Sequence, residues 1–154
     1  FVNNFSREPK GNDRAQILSV ASGESKLAIA NTYYYALMLS GKKGKEQQLA
    51  AQKVKPFFPN QNNRGVHMNI SGVGVLKYSP NKENAIKLIE YLLTPEVQSH
   101  IVNNTFEYPI IENAESNKLV MLMGKFKQDL DTPVSSYGKW QKEAYKLMKK
   151  SGWN

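Results

Sequence analysis

The sequence lacks several residues and patterns on which whole classes of protein depend. It has no cysteine, which excludes disulfide bonds, zinc–cysteine centres and thiol catalysis. It has no apolar run long enough to cross a membrane. Its two histidines, His67 and His100, fall in neither an HxH nor an HExxH pattern, so nothing supports a histidine zinc site. No nucleophile, base and acid are arranged as catalysis needs them, and we expect no enzyme activity.

The composition that remains is that of a soluble globular domain. The chain has 154 residues, of which 40% are hydrophobic and 22% are charged, so it can bury a core. It begins at Phe1 with neither an initiator methionine nor a signal peptide, which indicates a processed or truncated chain.

The net charge of +8 allows three interpretations. A nucleic-acid-binding domain would use it to neutralise phosphates, and a solute-binding protein would use it to steer an anionic ligand into a cleft. The third interpretation is that lysines on helix faces keep the protein soluble. Because neither an RNP motif nor a helix-turn-helix signal accompanies the charge, we expect no nucleic-acid partner.

Capping residues and apolar spacing predict a chain of short helices interrupted by strands. The helix signals are clearest at Ser79-Pro80 and Thr94-Pro95, where a capping residue precedes proline. Helices are predicted over residues 15–21, 32–39, 45–53, 80–93, 95–102 and 137–151. A buried strand is predicted over 26–30, and two more strands over 66–70 and 73–76, the former from the alternation of apolar and polar residues.

The chain is organised around three adjacent tyrosines, Tyr33, Tyr34 and Tyr35, between the first predicted strand and the second helix. Asn31 or Thr32 can cap that helix, which places the tyrosines in its first turn, at the positive end of the helix dipole. A bound cation favours phenolate, and phenolate oxygen is a hard donor suited to hard cations. From the residues alone two interpretations stay open: neighbouring phenolates bind ferric iron, or the rings are packing at a strand-to-helix junction.

A family resemblance bears on this choice. The run at 29–35 resembles the iron-ligand segment of periplasmic ferric-ion-binding proteins, which are the solute-binding subunits of iron(III) ABC importers. Later stretches resemble the same family in the same order. They are the strand after the ligand helix at 64–72, the paired helices at 79–85 and 93–98, and the segment that follows them at 106–110.

The resemblance implies an α/β fold of the type II periplasmic-binding-protein kind, present as a C-terminal fragment containing parts of both lobes. Residues 1–60 would belong to the C-terminal lobe and carry the tyrosine helix. Residues 61–113 would form the hinge crossing and part of the N-terminal lobe, and 114–154 would pack as helices on the C-terminal lobe. Two-lobed proteins are roughly twice this length, so we expect the N-terminal part of the protein to be missing.

The function implied by the resemblance is that of a periplasmic substrate-binding component of an iron(III) ABC importer, which delivers ferric iron to a permease in the inner membrane. Tyr33 and Tyr34 match the ligand pair because they directly follow Asn31-Thr32, and Tyr35 is assigned to packing. Fe3+ would be accompanied by a synergistic anion, carbonate or phosphate. Two phenolates cannot fill an octahedral site, so we expect this fragment alone to hold iron weakly or not at all.

Asn31 and Asp13 are the candidate contacts for that anion. Asn31 lies where resembling proteins place a polar side chain that hydrogen-bonds the anion, and the alternative is simple capping of the helix. Asp13 opens the first helix beside Arg14, at a helix N-terminus of the kind that attracts anions. The alternative there is a cap with a surface salt bridge.

Two other functions stay open at this point. The first is a binding protein of the same architecture for a polyamine, a phosphonate or a simple oxyanion. The second is a basic nucleic-acid-binding domain, which would bind DNA with steep salt dependence.

Overall fold

Helices dominate the computed structural model, which describes residues 2–153. In chain order they are α1 Asp13–Ala21, α2 Thr32–Leu39, α3 Lys45–Gln52, α4 Lys82–Leu92, α5 Pro95–Thr105, α6 Lys118–Met121 and α7 Ser135–Lys150, preceded by a 3-10 turn at Val2–Asn4. Within the described range, no helix combines the length and the apolar character needed to span a membrane.

Local capping explains where several of these helices begin and end. The Asn12 side chain accepts the Ala15 N–H at 3.3 Å and so starts α1. Pro95 occupies the first turn of α5, where its missing N–H costs nothing. That helix ends at Phe106, which takes a left-handed conformation and donates its N–H to the Val102 carbonyl oxygen at 2.9 Å.

The chain folds as two compact units. The first, here called the tyrosine unit, comprises Gly11–Pro56 and Asn69–Lys125 and contains helices α1 to α6. The second, here called the terminal unit, comprises Phe57–Met68 together with the chain ends up to Lys10 and from Phe126 onward. The predicted assignment of residues 1–60, 61–113 and 114–154 to lobes stays a prediction, since compactness alone does not identify a lobe.

The core of the tyrosine unit forms around α2. This helix packs against α1, α3 and α6. Ile17, Met38 and Ala51 form a buried hydrophobic cluster, in which Met38 and Ala51 are fully buried. Tyr34 and Tyr35 pack against that cluster, so the core fixes the orientation of the helix that carries the tyrosines.

The predicted strands are wrong for the part of the chain that the structure describes. There, the β pairing is a single isolated parallel bridge between Val66 and Gln128 in the terminal unit. The predicted strand at 26–30 is not buried either, because Leu27 is 84% exposed and Ile29 is 74% exposed. A strand needs a neighbouring strand for its backbone hydrogen bonds. Apart from the bridge at Val66, the predicted strand segments find no such partner within residues 2–153.

The helix predictions fare better. The tyrosine helix is confirmed over 32–39, and the helix after Thr94-Pro95 is confirmed and runs on to Thr105. Helix α4 begins at Lys82 rather than at Pro80. Here the Ser79 hydroxyl accepts the Asn81 N–H at 3.4 Å, so this residue shapes a turn ahead of the helix instead of capping it.

Candidate metal centre

Tyr33 and Tyr34 lie side by side in the first turn of α2. Their ring centroids are 4.4 Å apart and the ring planes are inclined at 43°. Consecutive helical side chains diverge by about 100°, so this short distance means that the two rings lean toward each other. Both side chains are half-buried. The structure therefore brings together the two phenols that the sequence singled out.

Tyr35 has a different environment. Its hydroxyl donates to the Val54 carbonyl oxygen at 3.1 Å, and its ring packs against the hydrophobic cluster. Burial raises the pKa of the Tyr35 phenol above its ordinary value. These contacts are those of a packing residue with a satisfied hydroxyl.

Asn31 joins α2 to two other parts of the tyrosine unit. Its backbone N–H and its side-chain Nδ2 both donate to Asp13 Oδ2, at 2.7 and 2.9 Å. Its Oδ1 accepts a hydrogen bond from Asn69 Nδ2 at 2.8 Å. The Asn31 side chain makes no capping bond to α2. The capping alternative is therefore not what is observed, and the anion-binding roles of Asn31 and Asp13 stay predictions.

A second carboxylate is held near the same tyrosines. Glu107 follows Phe106 at the end of α5 and is half-buried, and its Oε1 accepts the Ser71 hydroxyl at 3.1 Å. Its negative charge acts on Tyr33, as does that of Asp13.

These surroundings raise the pKa of the Tyr33 phenol above its ordinary value. Burial is the largest cause, followed by interaction with the Tyr34 side chain and by the charges of Asp13 and Glu107. A phenol is neutral at pH 7 at its ordinary pKa, and a rise in pKa leaves it so; a cation that binds the phenol must therefore displace the proton.

The sequence reasoning missed Asn69, Ser71 and Glu107 as site residues. They come from segments that meet the tyrosine helix only after folding, across 38 positions for the Asn69–Asn31 contact and 36 for the Ser71–Glu107 contact. The only available signal was that Asn69 and Ser71 are polar residues at alternate positions within an apolar stretch.

Other donor sets are weaker candidates. No group of three or more histidine, aspartate and glutamate side chains suited to a metal ion occurs among residues 2–153. His67 lies in the terminal unit, where its Nδ1 is 3.5 Å from the Tyr137 hydroxyl. Two open grooves are lined only by residues of the terminal unit. The larger of the two lies along α7 and has a volume of about 580 Å³. Neither groove is lined by Tyr33 or Tyr34.

The chain is similar to a known protein family and to several individual proteins. A family model described as bacterial extracellular solute-binding protein matches residues 5–99. The chain is 45% identical over 153 residues to iron uptake protein A1 of Synechocystis, covering 99% of this chain and 42% of that protein. The chain thus spans less than half the length of this relative.

Two solved structures are also similar. The Trichodesmium protein IdiA (FutA), in complex with iron and citrate ligands, is 48% identical, with a TM-score of 0.94, and the match covers 100% of this chain and 48% of that one. A ferric binding protein from Campylobacter jejuni is 37% identical, with a TM-score of 0.90, over 99% of this chain and 48% of that one.

Proposed function

Because the chain belongs to the family of bacterial extracellular solute-binding proteins, we propose that it is part of the substrate-binding component of an iron(III) ABC importer and that Tyr33 and Tyr34 bind Fe3+ as phenolates. The fold agrees with this family: similar solved structures confirm the predicted type II periplasmic-binding-protein-like fold, of which the chain covers about half.

The observation that carries the proposal is the pair of half-buried phenols at one helix start, with ring centroids 4.4 Å apart. Phenolate is a hard anionic donor, and trivalent iron is a hard cation. The similar Trichodesmium structure is described as holding iron and citrate, which supports both an iron cargo and an accompanying anion.

An anion bound with the iron would contact the side chains of Asn31 and Asp13. One N–H of the Asn31 amide already donates to Asp13 Oδ2, so at most one Nδ2 hydrogen is free to donate to it. The Asp13 carboxylate would repel a fully ionised anion but can accept a hydrogen bond from one that keeps a proton. Hydrogen carbonate and hydrogen phosphate meet that requirement.

Two phenolates leave the remaining coordination positions of iron unfilled. We propose that these are filled by the anion and by side chains of an N-terminal part of the same protein, since the chain spans less than half the length of a curated relative. Closure of two lobes over the metal in the periplasm, followed by docking on an inner-membrane permease, would complete the transport role.

Titration of the full protein with ferric citrate tests this function. We expect a visible ferric–phenolate charge-transfer band that weakens in Tyr33→Phe and in Tyr34→Phe and is lost in the double variant. Tyr35→Phe is the matched control and keeps the band. A protein that stays colourless with ferric citrate but binds a phosphonate or a polyamine would overturn the iron assignment.

A further inference from the structure

We propose that the carboxylates of Asp13 and Glu107, which lie outside the proposed ligand pair, make the tyrosine site prefer trivalent over divalent cations. The inference rests on the proposed function, because it needs a cation bound at Tyr33 and Tyr34. It assigns a role in cation specificity to Asp13 and Glu107, and a supporting role to the polar side chains that hydrogen-bond them.

Both carboxylates are fixed by hydrogen bonds. Asp13 Oδ2 accepts from the backbone and the side chain of Asn31, at 2.7 and 2.9 Å. Glu107 Oε1 accepts the Ser71 hydroxyl at 3.1 Å. A carboxylate that accepts such a hydrogen bond has fewer positions open to it than a free one.

The segment from Asn69 to Ser71 is linked by hydrogen bonds to both carboxylates, directly or through Asn31. Asn69 donates to Asn31, which holds Asp13, while Ser71 donates to Glu107. The two donors are two residues apart, so a single peptide stretch fixes both carboxylates relative to α2. This gives the polar alternation of residues 69 and 71 a role in the site.

The charge of these carboxylates is available to a bound cation. Across the described residues, neither Asp13 nor Glu107 forms an ion pair with lysine or arginine. Arg14, the nearest cation to Asp13 in sequence, donates to Gln47 Oε1 at 3.3 Å instead. Hydrogen bonds place both carboxylates at the start of α2: Asp13 bonds to Asn31, two residues before Tyr33. Glu107 bonds to Ser71, two residues after Asn69, which donates to Asn31.

The physical basis of the preference is the scaling of Coulomb energy with charge. A fixed carboxylate attracts a trivalent cation one and a half times as strongly as a divalent one at the same place. The cost of removing the phenol protons is the same for both cations. Additional negative charge around the phenols therefore raises the affinity for the trivalent ion more, and its removal lowers that affinity more.

The test compares Ga3+, a trivalent ion without redox chemistry, with Zn2+ in the full protein, using the ultraviolet difference spectrum of tyrosinate formation. We expect Glu107→Gln and Asp13→Asn each to lower the ratio of Ga3+ to Zn2+ affinity by roughly threefold to tenfold. Glu112→Gln removes the same charge from an exposed position and is the matched control, expected to leave the ratio unchanged. Ser71→Ala keeps the charge but releases Glu107, and should lower the ratio by less than Glu107→Gln.

Two results would overturn the inference and are separable from failure of the proposed function. If both affinities fall by the same factor, or neither changes, while the unsubstituted protein still gives the ferric band, only the role of the carboxylates is wrong. If the unsubstituted protein gives neither a ferric band nor a Ga3+ difference spectrum, the tyrosine site itself is wrong. Circular dichroism of each variant shows that loss of fold is not the cause.

Discussion

At the scale of single residues, Tyr33 and Tyr35 lie two positions apart in α2 and have different environments. The Tyr35 hydroxyl donates to the Val54 carbonyl oxygen and its ring packs on the hydrophobic cluster, whereas the Tyr33 ring lies against the Tyr34 ring. Stability and metal binding should therefore respond to different substitutions.

The first prediction separates these two roles. Tyr35→Phe removes the hydrogen bond to Val54 and leaves a part-buried carbonyl without that donor, so it should lower the free energy of unfolding by about 1 kcal/mol. Urea denaturation measures this loss, and the ferric band should be unchanged. Tyr33→Phe should give the reverse pattern. Equal loss of the band in both variants would contradict the division of roles.

The second prediction concerns protons. A tyrosine phenol is neutral near pH 7, and burial raises the pKa of Tyr33 further, so this phenol must lose its proton when it binds iron. Each proton released makes the affinity rise about tenfold per unit increase in pH while the group is protonated in the free protein. A pH indicator in weakly buffered solution measures the protons that the protein releases when Ga3+ is added. Tyr33→Phe should release about one proton fewer, and an affinity independent of pH would exclude phenolate ligation.

At the scale of elements, the terminal unit contains a close backbone contact at Gly65. This residue has φ of +95°, and a Cβ built on it would lie 2.6 Å from the Gln128 carbonyl carbon and oxygen. The contact accompanies the bridge in which Val66 N–H donates to the Lys127 carbonyl oxygen and Asp129 N–H donates to the Val66 carbonyl oxygen, both at 2.9 Å.

The third prediction is that Gly65→Ala disrupts this bridge. The left-handed conformation alone costs an alanine about 1–2 kcal/mol, and a clash with backbone adds roughly 1–3 kcal/mol. Gly23 has φ of +84° with open space around it, so Gly23→Ala is the control that carries the conformational cost alone. Thermal unfolding should show a larger loss for Gly65→Ala. Equal losses would mean that the backbone moves aside without cost.

Helices could be predicted from the sequence more reliably than strands. The bounds of α2 were predicted correctly, because a helix satisfies its backbone hydrogen bonds within one segment and needs no distant partner. The Asn31 side chain, expected to cap the helix, makes no capping bond. The strand at 26–30 was predicted from its apolar residues, but a strand forms only against a partner, and none occurs in the described residues.

Some residues of the candidate site could be predicted from the sequence and others could not. Tyr33 and Tyr34 could be found because they are contiguous and their chemistry is visible in the residue types. Ser71 and Glu107 were missed, because the hydrogen bond that joins them spans 36 positions of the sequence and forms only on folding.

At the scale of the whole molecule, many large apolar side chains are exposed. In the tyrosine unit, Leu27 is 84% exposed and Leu76 is 79% exposed. In the terminal unit, Leu130 is 81% exposed and Leu147 is 67% exposed. Large exposed apolar patches are typical of surfaces that contact another polypeptide. Because the chain spans less than half the length of a similar protein, we propose that a further part of the same protein covers these side chains.

The fourth prediction follows from this surface. The 154-residue chain alone should bind an apolar fluorescent dye and self-associate, as measured by dye fluorescence and light scattering. Co-expression with the N-terminal portion of a homologous binding protein should reduce both signals. A chain that is monomeric and free of dye would contradict the proposal that these surfaces are covered by a partner segment.

The position of iron in crystals of the full protein soaked with ferric citrate is the most direct test of the central claim. Anomalous diffraction at the iron edge should place one metal ion within coordination distance of both the Tyr33 and the Tyr34 hydroxyl oxygens, and none at Tyr35. An iron ion bound elsewhere, with both hydroxyls of the pair remote from it, would contradict the account.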